Sequence, residues 1–154
     1  GAIIRAGVVL GNDNYVGAYS IIGDPPEKVG WFDKPAGVVI GNNNRFTKQV
    51  TIDSGTERKT FIGNNVLMLK NAHVGHDAYI NDSVILSCNS MIGGWVEVGA
   101  ASNVGLGAAV HQRKEIPEGV MIGMNSTVTK TSELKPHRKY AGSPVKDIGS
   151  NVRN

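Results

Sequence analysis

Residues 62–128 read IGNNVLMLKNAHVGHDAYINDSVILSCNSMIGGWVEVGAASNVGLGAAVHQRKEIPEGVMIGMNSTV, and every sixth one is aliphatic. The series runs from Ile62, Met68 and Val74 through Leu86 and Ile92 to Ile122 and Val128 without a break. Four places after each stands a small residue or Val, from Val66 and Ala72 to Ser126, with Lys114 the one exception. A period of six is neither the 3.6 of a helix nor the 2 of a flat strand. It is the period of a parallel β-helix, in which three short faces close one coil of about 18 residues. Residues 18 apart are then neighbours in space, at ~4.8 Å per coil.

Working outward, the same period recurs in other frames at Ile4, Leu10, Val16 and Ile22, and again at Ile40, Phe46 and Ile52. Two stretches interrupt it. Residues 24–37 (DPPEKVGWFDKPAG) hold three prolines and two glycines, and residues 54–60 (SGTERKT) are a shorter break. Both read as loops leaving the coil, the places where repeat proteins carry function. The predicted organisation is a β-helix domain over residues 1–130 and a tail over 131–154 that packs on it. About six coils, a column ~30 Å tall, are expected. Flat faces and open sheet edges on such a column need covering, which predicts an oligomer.

Composition narrows the function. The chain has 154 residues, 6% aromatics and 20 glycines, as suits a single domain that turns every few residues. A net charge of +3 without a Lys/Arg stripe or an aromatic platform argues against nucleic acid and for mildly acidic substrates. Cys88 is the sole cysteine, so no disulfide framework exists and a reducing, cytoplasmic setting is expected. No run of residues has the length and apolarity of a membrane span, and the first residues lack the form of a signal peptide.

The coil period assembles a constellation. The histidines are His73, His76, His111 and His137. One coil beyond His76 stands Gly94, and one coil further stands Gln112, flanked by His111. An imidazole titrates near neutrality and suits a general base. A backbone N–H at Gly94 suits an oxyanion, and Gln112 suits a hydrogen bond to substrate. Asp77 either orients the base or simply occupies a turn. Gly94 either admits substrate or marks a tight corner at Gly93–Gly94, and the His pair is also readable as a solvated surface feature.

The segment from Met68 to Asp77 (MLKNAHVGHD) resembles the active-site segment of the UDP-N-acetylglucosamine O-acyltransferases, the family that opens lipid A and lipopolysaccharide biosynthesis. The likeness continues through Arg45–Ile52, Gly55–Thr56 and Gly107–Gln112, and spans most of residues 18–130. It implies a left-handed parallel β-helix, a homotrimer and active sites between subunits. It implies transfer of an acyl group from acyl carrier protein or coenzyme A, as co-substrate, to a hydroxyl or amine of a nucleotide sugar, with no bound cofactor and no metal. Carried over by position, His76 is the general base, Asp77 its partner and Gly94 the oxyanion donor. Asn71, His73, His111, Gln112 and Lys28 line the substrate sites, and Met124 limits acyl length toward short or medium chains. Trp95 and Asp53 depart from the pattern, each standing where the family has a histidine. The chain ends at Asn154, where the family continues into a helical C-terminal domain.

Other readings draw on other residues. Tyr140–Lys146 (YAGSPVK) resembles the close of coenzyme-A-dependent sugar acetyltransferases, with Lys146 facing a phosphate. His73, His76 and His111 form a conceivable zinc set, as in the gamma-type carbonic anhydrases, whose β-helix trimers bind metal between subunits. A non-catalytic trimeric β-helix serving as a structural or binding module is the third.

Overall fold

In the computed structural model, which describes residues 1–152, 21 short strands form three sheets, parallel except for the last strand. The first sheet stacks Ile3–Ile4, Ile21–Asp24, Thr51–Asp53, His73–Val74, Met91–Ile92, Ala109–Val110 and Thr127–Val128 in that order. A six-stranded sheet and an eight-stranded sheet supply the other two faces, so the chain is a three-sided parallel β-helix. From residue 60 on, paired residues are 18 apart: His73 lies beside Met91, Tyr79 beside Glu97, Ile85 beside Asn103. No helix occurs among the described residues, so none could cross a membrane.

The sixfold aliphatic series is the core. Ile62, Met68, Ile80, Leu86, Ile92 and Ile116 are all buried and form one axial cluster, with the small second series at Ala72, Ala78 and Ala108 beside it. Side chains this small fit because each corner of the triangle brings the chain back on itself within a few ångströms. The corners are left-handed in backbone torsion. Asn65, Asn71, Asp77, Ser83, Asn89, Trp95, Ala101, Gly107 and Arg113 recur every sixth residue with φ between 55° and 66°. Asn and Asp tolerate this region; Trp and Arg enter it only where their surroundings hold them.

The column is taller than about six coils. The first sheet has seven rungs, and the third also reaches seven because the ladder continues into Arg138–Ala141. Tyr140 stands 18 residues after Ile122 and is buried in its place, so an aromatic residue continues the aliphatic series. Lys146–Ser150 then folds back antiparallel on that last strand, clasped by a two-pronged Arg138–Asp147 ion pair at 2.7 and 2.8 Å. This turn-back covers an open parallel edge.

The thin core makes each buried aliphatic important. Leu86→Ala, at a side chain with no exposure, is expected to cost about 2–5 kcal/mol. The shift in the urea midpoint measures it, and a cost below about 1 kcal/mol would mean that the coil collapses around the gap.

Candidate active site

Asp77 occupies a left-handed corner (φ 60°), which turns its carboxylate inward toward residues 54–60 instead of outward along the strand alternation. There it meets a ring of donors. The backbone N–H groups of Thr56, Glu57 and Arg58 donate to it at 2.9–3.0 Å, and the Thr56 hydroxyl donates at 2.7 Å. Successive N–H groups converging on one anion form a nest. The fourth partner is the imidazole: His76 Nδ1 lies 2.6 Å from Asp77 Oδ2. Burial of the fully covered carboxyl would raise its pKa, but these hydrogen bonds outweigh burial and hold it down at about 2. Asp77 is therefore ionised at neutral pH and keeps the proton of His76 on Nδ1, leaving Nε2 with its lone pair.

Arg58 fastens this arrangement. Its Nε donates to the Asp77 carbonyl (2.8 Å) and a terminal nitrogen reaches Glu97 (3.1 Å). The guanidinium lies 3.9 Å from the Tyr79 ring centre and 4.9 Å from that of Trp95, while Arg113 lies 5.1 Å from the Trp95 ring. Packing between two guanidiniums accounts for a tryptophan at a left-handed corner. Its Nε1 is buried without a hydrogen-bond partner among the described residues.

Gly94 lies directly against the imidazole. A Cβ placed on it would stand 2.7 Å from His76 Nε2 and 2.8 Å from Cε1. The left-handed corner belongs to Trp95, and Gly94 has no positive φ, so space for the ring explains the glycine and a tight turn does not. Its N–H donates to no backbone carbonyl among the described residues. His76, Gly94, His73, His111 and Gln112 share one open cavity of about 420 Å³ with Asp53 and Glu27. Asn71 lines an adjoining cavity of about 390 Å³ with Thr51, Asp53, His73 and Met91.

Not every candidate converges there. Lys28 is exposed and lines neither cavity, whereas its neighbour Glu27 lines both. Met124 is 68% exposed on an outer corner, and Lys146 is exposed on the returning strand. Within one protomer His73, His76 and His111 are not grouped as metal ligands: Nδ1 of His73 bonds the Thr51 hydroxyl (2.8 Å), that of His76 bonds Asp77 and that of His111 faces the Gln112 carbonyl (2.9 Å). Sequence reasoning missed Glu27, Thr51 and the Thr56–Arg58 nest. The Gly55–Thr56 pair within the resemblance was the available signal for the last.

Asp53 is the electrostatic opposite of Asp77. Burial lifts its pKa to about 6, only partly offset by the Glu27 backbone N–H, and the charge of Glu27 adds to the rise. Burial likewise lowers the pKa of His73.

Two acid dependences follow. Asp77, held below its ordinary 3.8, contributes stability that is complete above pH ~4 and is lost as pH falls toward 2. Asp53, raised above 3.8, contributes stability at low pH that is lost as pH rises through about 6. Asp53→Asn should therefore raise the thermal midpoint at pH 7 by up to about 3 kcal/mol equivalent and have little effect at pH 4. Asp77→Asn should lower it at pH 7 and flatten the loss below pH 4. Thermal melts from pH 2 to 8 check both, and the same pH profile for wild type and both variants would refute them.

No protein-family model matches the chain. Among curated proteins, acyl-[acyl-carrier-protein]–UDP-N-acetylglucosamine O-acyltransferases of Burkholderia orbicola and Burkholderia lata are 33% and 34% identical over 146 residues, 93% of this chain. The chain spans about 55% of their length. Among solved structures, a UDP-N-acetylglucosamine acyltransferase of Bacteroides fragilis superposes with a TM-score of 0.93 at 27% identity, over 97% of this chain and 59% of that one. A perosamine N-acetyltransferase of Caulobacter crescentus shares the fold, with a TM-score of 0.68 at 19% identity. The column is thus the left-handed β-helix of those enzymes, and over 93% of its length the chain is a homologue of the UDP-N-acetylglucosamine O-acyltransferases.

Proposed function

We propose that the protein transfers an acyl group from an acyl thioester, on acyl carrier protein or coenzyme A, to a nucleotide-linked sugar such as UDP-N-acetylglucosamine. The observation that carries this is the His76–Asp77 pair lying against a glycine inside an open cleft. His76 Nε2 removes the proton of the acceptor as the acceptor attacks the thioester carbon. The Gly94 N–H meets the oxyanion of the tetrahedral intermediate. The carbon–sulfur bond then breaks and His76 returns the proton to the thiolate. Asp77 stays ionised throughout and stabilises the imidazolium, as in other acid–base pairs. The thioester is already activated, so no covalent enzyme intermediate is needed and Cys88 has no part.

His73, Asn71, His111 and Gln112 hold the two substrates around that centre. A homotrimer completes the cleft: Met91, which lines it, is 47% exposed, and Leu106 and Met124 are apolar side chains 48% and 68% exposed, surface suited to another copy of the column. In that assembly Met124 closes the acyl pocket early and favours short or medium chains. A cytoplasmic setting fits the lone thiol and both substrates.

Thiol release, scanned over acyl length and both carriers, tests the proposal. His76→Ala is expected to lower kcat/KM by roughly 10²–10⁴. Gly94→Ala should do so by a comparable factor with the fold intact, because its methyl would displace the ring. Met124→Gly should shift the preferred acyl group to longer chains. Turnover that survives His76→Ala would sink the mechanism.

A further inference from the structure

One wall of the cleft is acidic, although the chain as a whole carries a net charge of +3. Asp53 ends the strand Thr51–Asp53, is 5% exposed and lines both cavities. Glu27 enters the same two cavities from the first excursion, and Asp24 lines the adjoining one. Asp24 is already paired with Arg5 at 2.6 Å. Asp53 is not comparably served. The one potential cation within 4 Å of it among the described residues is His73 Nε2, at 3.9 Å, beyond hydrogen-bond reach. Burial disfavours the charged form of that imidazole, whose Nδ1 is engaged by Thr51. The Glu27 backbone N–H is what partly offsets the burial of Asp53.

A carboxylate this deep is costly unless a charged donor meets it. A hydroxyl brings one hydrogen bond and no charge, whereas an ammonium brings three donors and a full charge. The resemblance places a histidine at this position, so Asp53 puts a carboxylate into the wall where an imidazole is expected. We propose that the acceptor sugar presents a protonated amine to Asp53 and Glu27, and that the reaction is N-acylation. The inference rests on the acyltransferase reading above and specifies its acceptor.

The protons balance through the two groups present. Asp53 takes one proton from the ammonium, and the freed nitrogen lone pair attacks the thioester carbon. His76 takes the second proton from the nitrogen of the tetrahedral intermediate. The carbon–sulfur bond breaks, and His76 delivers that proton to the departing sulfur. Ammonium and thioester become amide, thiol and one proton, which Asp53 releases to solvent.

The test uses the intact protein with two acceptors that differ at one position: UDP-N-acetylglucosamine, and the analogue with an amine in place of the hydroxyl to be acylated. Thiol release gives kcat/KM for each, and calorimetry gives the affinity of each without turnover. The amine is expected to exceed the hydroxyl by about 100-fold in kcat/KM. Asp53→Asn should shrink that ratio at least tenfold, with Asp53→Glu restoring part of it. A hydroxyl acceptor used equally well, or a ratio unchanged in Asp53→Asn, overturns the proposal. Should neither acceptor turn over, the calorimetric ratio decides. Tighter amine binding that Asp53→Asn abolishes keeps the ammonium site and rejects the acyltransferase reading, and equal binding rejects the site.

Discussion

The backbone hydrogen bond from one coil to the next is the constraint on which the rest of the molecule depends. Gly75 N–H donates to the Ile92 carbonyl, Trp95 to His76 and Arg113 to Gly94, each at 2.8–2.9 Å. These bonds fix the rise per coil and forbid any slip in register, because a slip of one residue would turn the aliphatic column outward. They also require a left-handed residue at each corner, and so decide which way the residue at that corner points. Asp77 faces the loop, and His76 faces the cleft, for this reason. The geometry of the His76–Asp77 pair is a by-product of coil geometry.

Upon that frame the protein sets two carboxylates in opposite surroundings. Asp77 is buried among converging N–H groups and ionises at about 2; Asp53 is buried with little help and ionises at about 6. Divergent environments of this kind separate the roles of like groups in an active site. Asp77 never needs to change charge and can serve as a permanent anchor for the imidazole. Asp53 sits close enough to neutrality to exchange a proton with whatever enters. The two excursions create this difference, one by donating three amides to Asp77 and the other by bringing Glu27 beside Asp53.

Much of this was legible in the sequence, and the boundary has a physical cause. Whatever repeats every 18 residues could be placed by counting: the core column, and the alignment of His76 with Gly94 and Gln112. Whatever leaves the repeat could not. The Thr56–Arg58 nest lies in a segment without period, so nothing in its spacing indicates that its amides converge. The reason for Gly94 was ambiguous until the ring of His76 was seen against it, and Lys28, carried over from the resemblance, sits in a proline-rich turn whose spacing does not reveal that its neighbour Glu27 is the one lining the cleft. The rung at Arg138–Ala141 went uncounted because Tyr140 continues an aliphatic column with an aromatic ring.

The first excursion shows how such a fold can change. Most strand pairs join residues 18 apart, but Ile21 pairs with Thr51, a separation of 30, because residues of the loop are threaded between two coils. Loop closure grows only with the logarithm of length, so lengthening that span from 18 to 30 costs about 0.5 kcal/mol. The ladder on either side is unchanged. A lineage can therefore lengthen, shorten or exchange this segment at almost no cost to folding. The loop that lines the cleft can thus be exchanged at one corner while the coil beneath, with the His76–Asp77 pair mounted on it, is inherited intact.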